Sequence, residues 1–172
     1  MTSNLLRSAP ARSAGTVDIR DAIDYCPETG IFRWKATLSK SIKNGAEAGC
    51  INKYGYRHIC FNYRDYLAHR VAWFIMTGEW PNKAIDHRNL DRSDNRWCNL
   101  RLATSAQNQA NRRGTGPLPK GVSISKNRKR FEAAIKFDHR KFFLGTFETA
   151  EEAGAAYHAA AIRFYGEFAR TA

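Results

Sequence analysis

Two glycines and two prolines within Gly114-Thr115-Gly116-Pro117-Leu118-Pro119 interrupt this chain about two-thirds of the way along it. Proline fixes φ and removes a backbone donor, and glycine favours irregular backbone, so neither a helix nor a central strand runs through the segment. The residues on either side of it must fold on separate local patterns. At 172 residues the chain holds one ordinary domain or two small ones. The expected organisation is a Ser/Ala/Arg-rich leader at residues 1–16, a first domain at 17–113, a linker at 114–119 and a second domain at 120–172.

Both parts read as α+β. Val17 to Tyr25 has helical spacing, Pro27 to Gly30 forms a turn, and Ile31 to Trp34 is a short strand. Tyr54 to Phe61 alternates aromatic and polar residues and pairs with Tyr63 to Leu67 through a turn near Asn62. Leu67, Val71, Phe74 and Ile75 place a helix over His69 to Thr77 that Gly78 ends. Asn99 to Ala103 reads as a strand, and Thr104 opens a short helix with Gln107 at the capping-box position. Three strands come after the linker, at Gly121–Ser125, Arg130–Phe137 and Lys141–Thr146. Thr149 then caps a long helix, with Glu152 in its box, whose Ala153, Ala156, Tyr157, Ala160, Ala161 and Phe164 share a face.

Charge narrows the partner. Lys and Arg number 28 against 16 Asp and Glu, a net +12. Between Arg112 and Lys141 stand ten basic residues against Glu132 and Asp138, most of that excess, interleaved with Phe131, Phe137, Phe142 and Phe143. Such clustering favours a polyanion, since neutralising phosphates releases counterions. Strand-like patterning and Gly/Pro breaks disfavour a membrane-surface helix, and no apolar run approaches the length of a membrane span. Cys26, Cys50, Cys60 and Cys98 form no C-x-x-C pair, which argues against a structural zinc site or a disulfide framework. With no secretory leader, the expected compartment is the cytoplasm or nucleoid.

The densest acid/base and ligand chemistry lies in Ala84 to Asn108, AIDHRNLDRSDNRWCNLRLATSAQN. Adjacent Asp86 and His87 serve one site only where a strand end bends into a loop. A returning strand opened by Asn99, and Asn108 on the helix after it, place four polar groups within one strand pairing. A carboxylate and an amide carbonyl suit a hard divalent cation, and a neutral imidazole can take a proton from water near neutral pH.

From about Ile19 through Arg113 these residues resemble the HNH endonucleases of phages and homing elements, with their ββα-metal core. The matching motifs are the turn at Pro27–Gly30, Lys53 to Arg57, Tyr66 to Arg70, Ile85 to His87, Asp91 to Arg96, Asn99 to Arg101 and Ser105 to Asn108. The resemblance implies that His87 is the general base, that Asp86 and Asn108 hold one divalent ion (Mg²⁺, with Mn²⁺ a substitute), and that Asn99 ties the loop so that His87 is aimed correctly. This chain has Arg88 and Leu90 where the family carries an apolar residue and a glycine. Because leucine adopts positive φ only at a cost, a different turn is expected there.

Gly121 to Ala169 resembles the APETALA/ethylene-response-factor DNA-binding domain, a three-stranded antiparallel sheet backed by one helix. The resemblance rests on Gly121-Val122, Phe131 to Lys136, Phe143 to Phe147 and Thr149 to Tyr157. Lys136, Lys141 and Phe143 keep the character of that family's contacts. Lys126, Arg128, Lys129 and Arg130 enrich the first turn, and Arg112 and Arg113 border the linker. Lysine is a point charge, so this module is expected to grip phosphate more than it reads sequence.

The expected function is metal-dependent hydrolysis of double-stranded DNA by a monomer or weak dimer. Its rivals are a DNA-binding regulator whose nuclease site has decayed and an RNA-binding protein.

Overall fold

The computed structural model describes residues 18–40, 42–114, 116–127 and 129–170. The expected leader, Val17 and Arg128 lie outside them. The chain forms two compact units, one ending at Arg101 and the other beginning at Leu102.

In the first unit, Asp18 caps a single helical turn, α1 (Ile19–Ala22), by accepting from the Arg20 amide at 2.9 Å. The expected helix to Tyr25 stops there, and Ile23–Cys26 is a strand, β1. Burial alternates along it, with Ile23 and Tyr25 inside and Asp24 outside. It pairs antiparallel with β2 (Ile31–Trp34), Ile23 opposite Trp34 and Cys26 opposite Ile31. An isolated helix of that length is marginal, and the hairpin closed by Pro27–Gly30 overrides the local spacing.

A second sheet has the order β3 (Cys50–Ile51), β4 (Arg57–Phe61), β5 (Arg64–Leu67). Asn62 and Tyr63, at φ 50° and 59°, make the tight turn between β4 and β5. A pair of left-handed residues matches the right-handed twist of a hairpin. The chain runs directly into α2 (Ala68–Thr77), which ends on left-handed Gly78. Ala68, Val71, Ala72 and Phe74 of α2 are buried together with Ile23, Phe32 and Ile59 to form the core of this unit. Then come β6 (Ala84–His87), a 3₁₀ turn at Trp97–Asn99 and β7 (Leu100–Ala103), with β6 and β7 paired. Asn99 therefore ends a turn rather than opening the strand, which starts one residue later.

In the second unit, α3 (Ser105–Asn111) begins with a complete capping box between Thr104 and Gln107. β8 (Val122–Ile124), β9 (Phe131–Phe137) and β10 (Arg140–Phe147) form an antiparallel sheet with β9 in the centre. α4 (Ala150–Tyr165) starts with a second capping box, Thr149 with Glu152, and lies against β9 and β10. Ile135 and Ala161 are buried between them, with Leu144, Tyr157 and Phe164 packed around. Small residues on α4 permit this close approach. Gly121, at φ +75°, is required, since a Cβ there would meet the Tyr157 ring at 2.0 Å.

Candidate active site

β6 delivers Asp86 and His87 to the same buried end of a strand, at 6% and 4% exposure. Burial of two adjacent polar side chains demands partners for both. Asp86 finds Arg101, whose Nε and Nη2 donate to its Oδ2 at 2.9 and 2.8 Å, with both side chains almost fully buried. Arg101 stands two residues beyond Asn99, within the Asn-Leu-Arg motif, and its pairing with Asp86 was not legible in that motif.

His87 leaves the strand into a loop that is tightly tied. Its carbonyl accepts from the Leu90 amide at 3.0 Å, and the Arg88 amide donates to the Asn99 carbonyl at 2.9 Å. The Asn99 side chain accepts from the Asn89 amide at 3.0 Å and donates to Asn89 Oδ1 at 3.0 Å and to the Asp94 carbonyl at 2.8 Å. One buried amide thus holds both arms of the loop. Leu90 sits at φ +67°, so the left-handed turn expected only of glycine is formed by leucine. The Leu90–His87 hydrogen bond and the Asn99 clamp hold this backbone, and the Leu90 side chain bears the strain.

The N-terminal hairpin braces this loop from behind. Tyr25 donates its hydroxyl to the Asn95 carbonyl at 2.7 Å, and the Trp97 amide donates to the Pro27 carbonyl at 2.9 Å. Gly30 is at φ +72°, and a Cβ there would lie 2.5 Å from the Arg96 nitrogen. The Pro-Glu-Thr-Gly turn therefore has a packing role in the site.

Two aromatic rings meet His87. His69 of α2 packs edge-on against it with ring centroids 5.1 Å apart, and Tyr56 lies 6.0 Å from His87 and 5.4 Å from His69. Arg92 covers Tyr56 at 4.9 Å. Burial pushes His87 below the usual histidine range, while Asn95 and the carboxylates Asp86, Asp91 and Asp94 pull it back. It is held neutral near pH 7, the form that can accept a proton. His69 is pushed down to about 3 by burial and by the neighbouring His87 and Arg70.

The remaining expected residues lie in the second unit. Asn108 stands midway along α3, its amide donating to the Thr104 carbonyl. Lys136 pairs with Lys141 and Ala134 with Phe143 across β9 and β10, so Lys136, Lys141 and Phe143 share the sheet face opposite the one that buries Ile135. Phe143 is exposed at 63%. Lys126 and Lys129 are exposed in the turn between β8 and β9, while Arg130 pairs with Glu148 at 3.0 Å. Arg112 and Arg113 are exposed after α3. Lys120, one of the ten basic residues of the charged stretch, differs. Its Nζ donates to the carbonyls of Gln109, Ala110 and Arg112 at 2.6, 2.7 and 2.9 Å, capping α3 from its C-terminal end.

Among the described residues, no group of three or more His, Cys, Asp or Glu side chains is placed to hold a metal ion. The oxygen donors of Asp86 and Asn108 are chemically suited to a hard divalent cation, one anionic and one neutral. The Arg101 guanidinium already engages Asp86 Oδ2, so an ion there must share that carboxylate with it.

No helix among the described residues is long and apolar enough to cross a membrane. No curated protein matches the chain. Residues 66–110, from β5 through nearly all of α3, match the family model described as HNH endonuclease, a match that ends before the basic stretch.

Proposed function

We propose that the chain is a DNA endonuclease whose cleaving domain spans residues 17–113, with a DNA-gripping module at 120–172 reached through residues 114–119. The observation that carries this reading is the burial of His87 at the end of β6, beside a loop tied by Asn99 and inside the stretch that matches the HNH endonuclease model. His87 takes a proton from the attacking water, and Asn99 keeps its loop from rotating. Asp86 and Asn108 would hold a divalent ion, Mg²⁺ foremost, which when bound neutralises charge on the scissile phosphate. Lys136, Lys141, Phe143, Lys126, Lys129, Arg128, Arg112 and Arg113 grip the DNA backbone. The likeness of the second module to the APETALA/ethylene-response-factor domain supports that division of labour, as does the concentration of basic residues there.

A second reading draws on the Asp86–Arg101 pair. An arginine on the one carboxylate suits a protein that binds DNA without cutting it. Plasmid relaxation separates the two. Cleavage by the wild type in Mg²⁺, its loss in EDTA, and a fall on the order of 10² to 10⁴ in rate for His87→Ala with DNA affinity retained are expected. Wild-type protein that binds the plasmid and leaves it supercoiled in Mg²⁺ and Mn²⁺ supports the binding-only reading instead.

A further inference from the structure

The three-stranded sheet of the first unit carries a cluster that the nuclease chemistry does not use. Cys50 on β3 lies directly opposite His58 on β4, and its Sγ is 3.0 Å from His58 Nε2. His58 Nδ1 is in turn 3.4 Å from Oδ1 of Asp65 on β5. Three adjacent strands thus line up thiol, imidazole and carboxylate. With the Nδ1 hydrogen directed at Asp65, Nε2 presents its lone pair to the thiol, the arrangement in which a base activates a nucleophile and a third group orients the base. Cys50 is exposed, so a small electrophile can reach it. Nearby, Arg57 donates to the carbonyls of Ala48 and Gly49 at 3.1 Å, placing a guanidinium beside the backbone that leads into Cys50.

We propose that Cys50 is a reactive thiol, a site of modification by hydroperoxides and carbon electrophiles, with His58 as its base and Asp65 as the residue that orients His58. In alkylation the sulfur forms an S–C bond, the leaving group departs with the electrons of its bond to carbon, and the thiol proton passes to His58 Nε2. With a hydroperoxide, sulfur attacks the terminal oxygen and the O–O bond breaks. The departing alkoxide or hydroxide takes the proton from His58; sulfur is oxidised to the sulfenic acid and the peroxide is reduced to an alcohol or water.

The other cysteines provide internal references. Cys26 Sγ donates to Glu28 Oε2 at 3.3 Å and has no imidazole in this role. Cys60 is exposed on β4 two residues from His58, opposite Asp65. The test is peptide-resolved mass spectrometry of the full chain after brief iodoacetamide treatment at neutral pH. Cys50 is expected to react on the order of tenfold faster than Cys26, Cys60 and Cys98. His58→Gln should bring Cys50 down to the rate of Cys60, and Asp65→Asn should slow it severalfold. Trapping with dimedone after hydrogen peroxide should label Cys50 first. Equal rates at Cys50 and Cys60 in the wild type, or a Cys50 rate unmoved by His58→Gln in a protein with wild-type circular dichroism, would overturn the assignment. The measurement needs no nuclease activity, so its outcome is independent of the function proposed above.

Discussion

At position 90 a leucine occupies a backbone conformation that a Cβ disfavours by roughly 1–2 kcal/mol. The clamp around His87 holds it there, so the strain should be visible in stability. Leu90→Gly removes the Cβ and Leu90→Ala keeps it while removing the same apolar branch. The glycine variant is therefore expected to unfold in urea at higher free energy than the alanine variant, by about 1 kcal/mol, the reverse of the usual order in loops. If alanine is the more stable, Leu90 is not strained. His69 makes a second prediction of this kind. Its Nδ1 is buried without a hydrogen-bond partner, and its folded-state value near 3 lies well under that of an unfolded histidine. Between those two values the unfolded chain binds a proton that the folded chain refuses, so stability is full above about pH 7 and falls as pH drops, by about 1.4 kcal/mol per unit for one such group. Replacing the imidazole by a ring that does not titrate, His69→Phe, should flatten that slope in urea unfolding followed from neutral to mildly acidic pH. An unchanged slope would place the acid sensitivity elsewhere.

Among the elements, α3 shows how a charged side chain can serve a helix rather than a partner. The last carbonyls of a helix lack intrahelical donors, and the Lys120 ammonium reaches three of them at once. Half-buried, it is lowered from the usual lysine range chiefly by desolvation. Lys120→Met keeps the stem and removes the donors, and should cost about 1.5–3 kcal/mol while speeding amide exchange in α3. Lys120→Arg should restore part of the protection. Wild-type exchange in α3 of the methionine variant would mean the cap contributes nothing. Local signals were the legible ones: both capping boxes, the Gly78 stop and the turn at Asn62 depend on residues within a few positions of one another. Features set by distant partners were not. β1 becomes a strand because β2 pairs with it, Asp86 meets an arginine 15 positions away, and Tyr25 reaches Asn95 across 70. The same limit hid Lys120, which in sequence is one cation among ten.

Across the whole molecule, the basic excess is not a uniform coat, and the exceptions define a test of the proposed DNA contacts. Lys126, Lys129, Lys136 and Lys141 are exposed, and two of them lie beside Phe143 on one sheet face. Lys120 spends its charge on α3, and Arg130 pairs with Glu148 at the surface. An exposed pair of that kind is worth little and can open toward a phosphate, whereas the Lys120 cap cannot without unravelling a helix end. Deleting one cation that touches a phosphate should reduce the slope of log affinity against log salt by about 0.9. Neutralising Lys126, Lys129, Lys136 and Lys141 together to glutamine should therefore make the slope much shallower, while Lys120→Gln should leave it unchanged despite removing the same formal charge per residue. Fluorescence anisotropy on one duplex over a salt series measures both. A slope that falls equally per charge removed, whichever lysine is changed, would show that binding responds to net charge alone. The exposed lysines would then not be the groups that touch phosphate.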